Sequence, residues 1–167
     1  MNTMREIRIE KVTVNIGRGE PGDKVEQARK LLETLTGKKI ITTKTEKRNT
    51  FGVSKGRHIG VKVTLRNEDA INFLNKAFEA CERKIKASQF DTQGNFSFGV
   101  PEYIDMPGVE YDPDIGIIGM DVAVTLERPG FSISKRRIRP EKTGKAHRIT
   151  KEEAMEFAKK TLNIAIE

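Results

Sequence analysis

Ile59-Gly60-Val61-Lys62-Val63-Thr64-Leu65-Arg66 decides the fold. In an extended chain successive side chains point to opposite faces. Ile59, Val61, Val63 and Leu65 therefore share one face, and Gly60, Lys62, Thr64 and Arg66 share the other. A strand with one apolar and one polar side belongs to a sheet that is covered on one face and open on the other, the usual condition of antiparallel sheets. Toward the N-terminus the same alternation occupies residues 11–16, where Val12, Val14 and Ile16 interleave with Lys11, Thr13 and Asn15. Toward the C-terminus it returns over residues 120–127, with Met120, Val122, Val124 and Leu126 inward. Phe96, Phe98 and Val100 give a shorter version, and residues 40–45 form a strand rich in β-branched side chains.

Helical periodicity fills the gaps. Asp23 is expected to cap a helix with the stripe Val25, Ala28, Leu31, Leu32 and Leu35, which Gly37 stops. Asn67 is expected to cap a second helix whose stripe is Ile71, Leu74, Phe78, Cys81 and Ile85. Thr150 and Glu153 have capping-box spacing and open a last helix through about Leu162. The order β-α-β-β-α-(β)-β-α predicts an α+β fold, an antiparallel or mixed sheet with helices on its Val/Ile/Leu side and an open polar face. Residues 1–130 form the sheet-and-helix core, 131–149 a basic segment, and 150–167 a C-terminal helix packed on the same domain. A chain of 167 residues buries roughly 70% of its unfolded surface and needs no staples.

Charge is segregated along the chain. The formal net charge is +7. Residues 44–66 carry seven Lys and Arg against Glu46, and residues 128–148 carry eight against Glu141. Between them, residues 101–127 carry seven acids and no Lys or Arg. Mere solubility does not require such sorting; binding of a polyanion does. A single cysteine, Cys81, excludes a disulfide framework, and with His58 and His147 it cannot make a protein-only zinc site. No secretory signal and no apolar run near the ~20 residues of a membrane span are visible. That usage fits a cytoplasmic protein with no cofactor, no metal and no small-molecule substrate.

Enzyme motifs fail on inspection. Gly17, Gly19 and Gly22 have dinucleotide-loop spacing, but Pro21 intrudes, the preceding strand is amphipathic, and no parallel βαβ run follows. Asp105, Glu110, Asp112 and Asp114 lie in a Pro/Gly-rich stretch where turn formation explains them.

Three candidate sites remain. The first is the open strand face: Lys11, Thr13, Asn15, Lys62, Thr64 and Arg66. Short donors and acceptors on a rigid sheet suit the shallow minor groove of RNA, where 2′-hydroxyls and phosphates are on offer. The second is the long loop 47–60, with Lys47, Arg48, Lys55, Arg57 and His58 among glycines and Phe51 expected to face the core. The third is residues 132–148, with Lys135, Arg136, Arg137 and Arg139; blocks of like charge bind nucleic acid. A general RNA-binding module or chaperone and an RNA-processing enzyme are the alternatives, and no catalytic constellation supports the latter.

Four segments resemble a known family in order and spacing: residues 9–17 (Ile-Glu-Lys-Val-Thr-Val-Asn-Ile-Gly), 60–66 (Gly-Val-Lys-Val-Thr-Leu-Arg), 90–100 (Phe-Asp-Thr-Gln-Gly-Asn-Phe-Ser-Phe-Gly-Val) and 119–122 (Gly-Met-Asp-Val). Together they resemble the universal large-subunit ribosomal protein called L-five in bacteria and L-eleven in eukaryotes. The resemblance covers residues 4–127, and the basic segment before the last helix is similar to the archaeal branch. It implies a curved sheet with helices on its convex side and 5S ribosomal RNA on its concave face. By the resemblance, Asn15, Lys62 and Thr64 match RNA-contacting positions, as does Lys38. The loop 50–60 corresponds to one that reaches the peptidyl-site transfer RNA. The family also contacts large-subunit ribosomal RNA and neighbouring ribosomal proteins, and meets a small-subunit head protein in an inter-subunit bridge. Residues 131–167 and the loop sequence depart from the bacterial pattern.

Overall fold

The computed structural model describes every residue except Met1, Asn49 and Phe51, so the expectation for Phe51 lies outside the described residues. In chain order the elements are β1 (Arg8–Gly17), α1 (Asp23–Thr36), β2 (Ile41–Lys44), β3 (His58–Leu65), α2 (Asn67–Ala80), β4 (Lys84–Ile85), β5 (Phe96–Val100), β6 (Met120–Glu127), α3 (Ser132–Lys135), α4 (Lys151–Leu162) and β7 (Ala165–Ile166). The α+β class holds. Five strands form one open sheet in the order β2-β3-β1-β6-β5, and every neighbouring pair is antiparallel. The two residues of β4 pair in parallel with β7 in a separate ribbon that ties down the C-terminus.

β1 is the central strand. Val12, Val14 and Ile16 are buried against Leu65, Val63 and Val61 of β3, and Val12 and Val14 also against Val124 and Val122 of β6. The alternation begins only at Lys11, and a β-bulge explains why. Ile9 faces Leu126 while Lys11 faces Thr125, so Glu10 is the extra residue on β1. The bulge lets Ile9 and Val12, three apart, both turn toward the core. Gly60 is needed where three strands crowd: a Cβ there would lie 2.7 Å from the Ile16 carbonyl oxygen and 3.0 Å from Thr43 Oγ1.

Helices cover the apolar face, with α1 on β3 and α2 on β1. The stripe of α1 is as expected, and Gly37 ends the helix at φ 61° while donating to the Glu33 carbonyl. Asp23 is not the cap. The cap position is Gly22, at φ 115°, because the turn enters the helix through a backbone geometry that disfavours a side chain. Asp23 instead places its carboxylate in the first turn, where the helix dipole favours it. Nor does Asn67 cap α2: it adopts φ 54° to swing β3 into the helix, and Arg66 holds the cap position without a side-chain hydrogen bond to the first turn. The buried face of α2 is Ala70, Phe73, Leu74, Ala77 and Phe78, while Ile71 is 46% exposed. Cys81 and Ile85 lie beyond the helix end. Two alanines on that face let α2 approach β1 closely, and hydropathy alone does not mark them as core.

The C-terminal helix joins the same hydrophobic cluster through Ile149, Ala154, Ala158 and Leu162. Its capping box forms: the Glu153 N–H donates to Thr150 Oγ1 and the Thr150 N–H to Glu153 Oε2. Arg128, 5% exposed, pins this end to β6. Its Nη2 lies 2.8 Å from Glu153 Oε1, and its Nη1 donates to the His147 and Arg148 carbonyls. Arg128 thus belongs to the core rather than to the basic surface. Its carboxylate partner holds the cap and neutralises a buried guanidinium at once. Replacing Glu153 with Ala removes the acid partner of Arg128 and the return half of the capping box, while the backbone N–H at 153 still donates to Thr150 Oγ1; with the Glu153 side chain 43% exposed the expected cost is about 1–2 kcal/mol, read as a lower urea midpoint with unchanged slope.

Candidate nucleic-acid interface

The uncovered face of the sheet carries rows of side chains from different strands. One row runs Ile41, Lys62, Asn15, Asp121 and Gly99 across β2, β3, β1, β6 and β5. The next runs Thr64, Thr13, Ala123 and Ser97, and a third pairs Lys11 with Thr125. Asn15, Lys62, Thr64, Asp121, Ala123 and Ser97 are exposed, and Thr13 is half-buried. Antiparallel pairing therefore brings together five of the expected residues, Lys11, Thr13, Asn15, Lys62 and Thr64. The sixth, Arg66, lies just past the end of β3. It reaches back to β1, donating from Nη1 to the Glu10 carbonyl at 3.3 Å and lying 3.7 Å from Glu10 Oε1.

Two residues of this surface carry signals that strand alternation alone underrates. Asp121 sits in the middle of the polar row, beside Asn15 and opposite Gly99. A carboxylate only accepts hydrogen bonds and repels phosphate, so this position suits a hydrogen-bond donor rather than an anion. Its place on the open side of β6 was readable from the alternation of residues 120–127. Glu10 is the second. It is the bulge residue, its side chain 10% exposed, and it gathers cations from three elements: Lys135 Nζ at 2.7 Å, Arg66 at 3.7 Å and Lys11 at 3.9 Å. No periodicity could have revealed it, because the bulge takes it out of the alternation.

Lys38 is not part of the open face. Its Nζ is 2.7 Å from Asp69 Oδ2 in the first turn of α2, which places it at the rim of the helical layer. Lys47, Arg48, Lys55 and Arg57 of the loop are all exposed near the Gly17 end of β1, and so is His58, which is the first residue of β3 paired with Lys44 rather than part of the loop. The loop's base is closed by the Thr45 N–H on the Arg57 carbonyl and the Gly56 N–H on the Thr45 carbonyl. Arg57 and His58 also face Arg29 across a shallow depression at the start of α1. At the opposite end of β1 lies the basic segment. Arg136, Arg137 and Arg139 are exposed, whereas Lys135 is held between Glu10 and Glu127. The face flanked by these two cationic ends is about 30 Å long, from ten strand residues at ~3.3 Å each.

Glu110, Asp112 and Asp114 lie away from this face. The loop after β5 reaches the helices: its Asp114 carbonyl accepts from Gln27 of α1, and residues 108–113 and 115 line a groove with Leu31, Leu35 and Lys76. Asp112 Oδ1 accepts from the Asp114 N–H, so this acid serves a turn, as expected. Exposed cations stand at both ends of the sheet's open face while the acids of this loop lie against the helices, an arrangement suited to a polyanion on the sheet side. Among the described residues no group of three or more His, Cys, Asp or Glu comes together as a metal site, and no helix is long and apolar enough to cross a membrane.

Family models describe almost the whole chain. The model for ribosomal protein L5 matches residues 2–53, and the model for the C-terminus of the same ribosomal family matches residues 58–165. Among curated relatives, the large ribosomal subunit protein uL5 of Methanosphaera stadtmanae is 51% identical over the full length of both chains. The protein of that name from Sulfurisphaera tokodaii is 52% identical over 99% of this chain and 95% of its own, and that from Nanoarchaeum equitans 50% identical over 98% and 97%.

Burial by itself would raise the Glu10 carboxyl. The hydrogen bond from Lys135 and the charges of Lys135, Lys11 and Arg66 outweigh it and hold the group below its ordinary value of 4.5. A lowered carboxylate contributes stability that is complete above the unfolded value and disappears as pH falls through the folded one. Acid unfolding followed by circular dichroism should therefore show a limb just below pH 4.5 that is reduced in Glu10→Gln. An identical limb in the variant would remove Glu10 from the account of acid stability.

Proposed function

The chain belongs to the ribosomal protein L5 family and is a structural component of the large ribosomal subunit; from that premise we propose that its open sheet face binds 5S ribosomal RNA and attaches it to the subunit. As a member of this family it assembles with ribosomal RNA and other ribosomal proteins, and the family is not enzymatic. The observation that carries the reading is the pairing of Asn15 with Lys62 and of Thr13 with Thr64 on an uncovered, rigid surface. Asn and Thr both donate and accept, which suits a 2′-hydroxyl, and Lys62 beside them neutralises a phosphate. Asp121 adds an acceptor that disfavours a bare backbone and favours a hydrogen-bond donor, so the face selects as well as attracts. Lys38, at the rim, extends the contact past the end of α1.

The remaining cationic ends have separate tasks in this proposal. The loop with Lys47, Arg48, Lys55 and Arg57, together with His58 at the start of β3, reaches the peptidyl-site transfer RNA and large-subunit ribosomal RNA. The segment with Lys135, Arg136, Arg137 and Arg139 meets ribosomal RNA beside the sheet. A protein of the small-subunit head contacts the chain in an inter-subunit bridge.

A competition titration of 5S RNA against transfer RNA, at several salt concentrations, tests the central claim. Wild type should prefer 5S RNA throughout. Lys62→Ala should weaken binding and lower the slope of log K against log salt by about one unit, the contribution of one phosphate contact. Asn15→Ala should lose preference with little change of slope, since it carries no charge. Equal competition by both RNAs, unaltered by Asn15→Ala, would refute the sheet face as the reading surface.

A further inference from the structure

The first turn of the basic segment follows Phe131, which packs against the core, and beyond its hydrogen bonds to Gly130 and Phe131 it is held to the sheet by charge. Residues 132–140 are all exposed, and α3 buries no side chain. Ile133 and Ile138, which could have anchored it, are 42% and 77% exposed. A single helical turn does not persist without outside support. Among the described residues, the polar contacts between residues 132–141 and the sheet run through Lys135, whose Nζ lies 2.7 Å from Glu10 Oε2 and 3.2 Å from Glu127 Oε2. Other polar contacts of this stretch are local: Ile133 and Ser134 donate to the Gly130 and Phe131 carbonyls, Arg136 Nε donates to the Arg139 carbonyl at 2.7 Å, and the Glu141 N–H donates to the Ile133 carbonyl.

Both acids look inward to the sheet as well as outward to Lys135. Glu10 also holds Arg66 and Lys11, cations of the open-face region. Glu127 holds Arg8 at 2.7 Å. Two carboxylates, 10% and 16% exposed, thus stand where the open face and the basic segment meet. On a surface that meets polyanions such acids repel; their placement makes sense as a junction.

We propose that Glu10 is a positioning residue for RNA binding: with Glu127 it latches Lys135 so that Arg136, Arg137 and Arg139 stand beside Arg66 and Lys11 as one continuous cationic surface. Lys135 is then a tether whose charge is already matched, and the three arginines after it are the groups left for phosphate. This rests on the reading of the sheet face as an RNA-binding surface. It reverses the ordinary expectation for an RNA-binding protein, because removing a negative charge weakens binding instead of strengthening it.

The test uses the full-length chain with 5S RNA, measuring affinity over a range of salt, and amide hydrogen exchange of residues 132–139 without RNA. Glu33→Gln, at an exposed position on α1, is the charge-matched control. In Glu10→Gln, exchange across 132–139 should rise, affinity should fall about three- to tenfold, and the salt slope should drop by about one to three units as arginines lose their phosphates. Lys135→Ala, an exposed change with little effect on folding, should reproduce both results, and combining the two substitutions should add nothing further. Unchanged exchange in both variants overturns the latch. Raised exchange with affinity equal to that of Glu33→Gln overturns its importance for RNA. Should wild type fail to bind 5S RNA, the sheet-face reading falls, while the exchange measurement still decides whether the latch exists.

Discussion

Everything in this molecule hangs on the pairing of β1 along both of its edges. Residues 12–17 pair with β3 on one side, and residues 8–15, apart from the bulged Glu10, pair with β6 on the other. That double pairing places Val12, Val14 and Ile16 beneath the helices and obliges Thr13 and Asn15 to face the other way. Because side chains alternate strictly, a slip of one residue would bury Asn15 and expose Val14. The register that builds the core is therefore the register that builds the polar rows. Fold and interface are two sides of one hydrogen-bond ladder.

The elements that read clearly from the sequence are those whose geometry is local. β3 and β6 announce themselves through two-residue alternation, the stop of α1 through Gly37, and the start of α4 through Thr150 and Glu153. Five of the six expected open-face residues sit where period two alone placed them. What was illegible depends on neighbours distant in sequence. Ile9 and Val12 share a face only because Glu10 bulges out. Ala70 and Ala77 are core because β1 lies close to α2, so a search for large apolar residues picks Ile71 instead. Lys38 reads as a free cation until α2 brings Asp69 to it. Arg128 and Lys135 count as surface charge in a composition plot, yet Glu153 buries the function of one and Glu10 with Glu127 fix the other.

Charge in this protein does two jobs that composition cannot separate. Arg128 with Glu153 and Lys135 with Glu10 and Glu127 hold segments together, and such matched groups add little to the outward field. Lys62, Arg136, Arg137 and Arg139 have no acid partner described and set the sign of the sheet side. The formal charge of +7 thus understates how polar the molecule is. Many acids are paired with cations along the helices and at the end of β1, while Asp112 and Asp114 serve the loop against α1.

The strand order also sets a sequence of events during synthesis. β1 and β3 are separated by about forty residues that include α1 and β2, and with α1 and α2 they can condense as soon as residue 80 has left the ribosome that makes them. β6 comes some forty residues later, after β5 and the acidic loop. Through that interval one edge of β1 carries unpaired amide and carbonyl groups, an open template for any passing strand. The nascent chain is thus most vulnerable to aggregation between the emergence of α2 and that of Glu127, and closing that edge is the step that commits it to a single folded state.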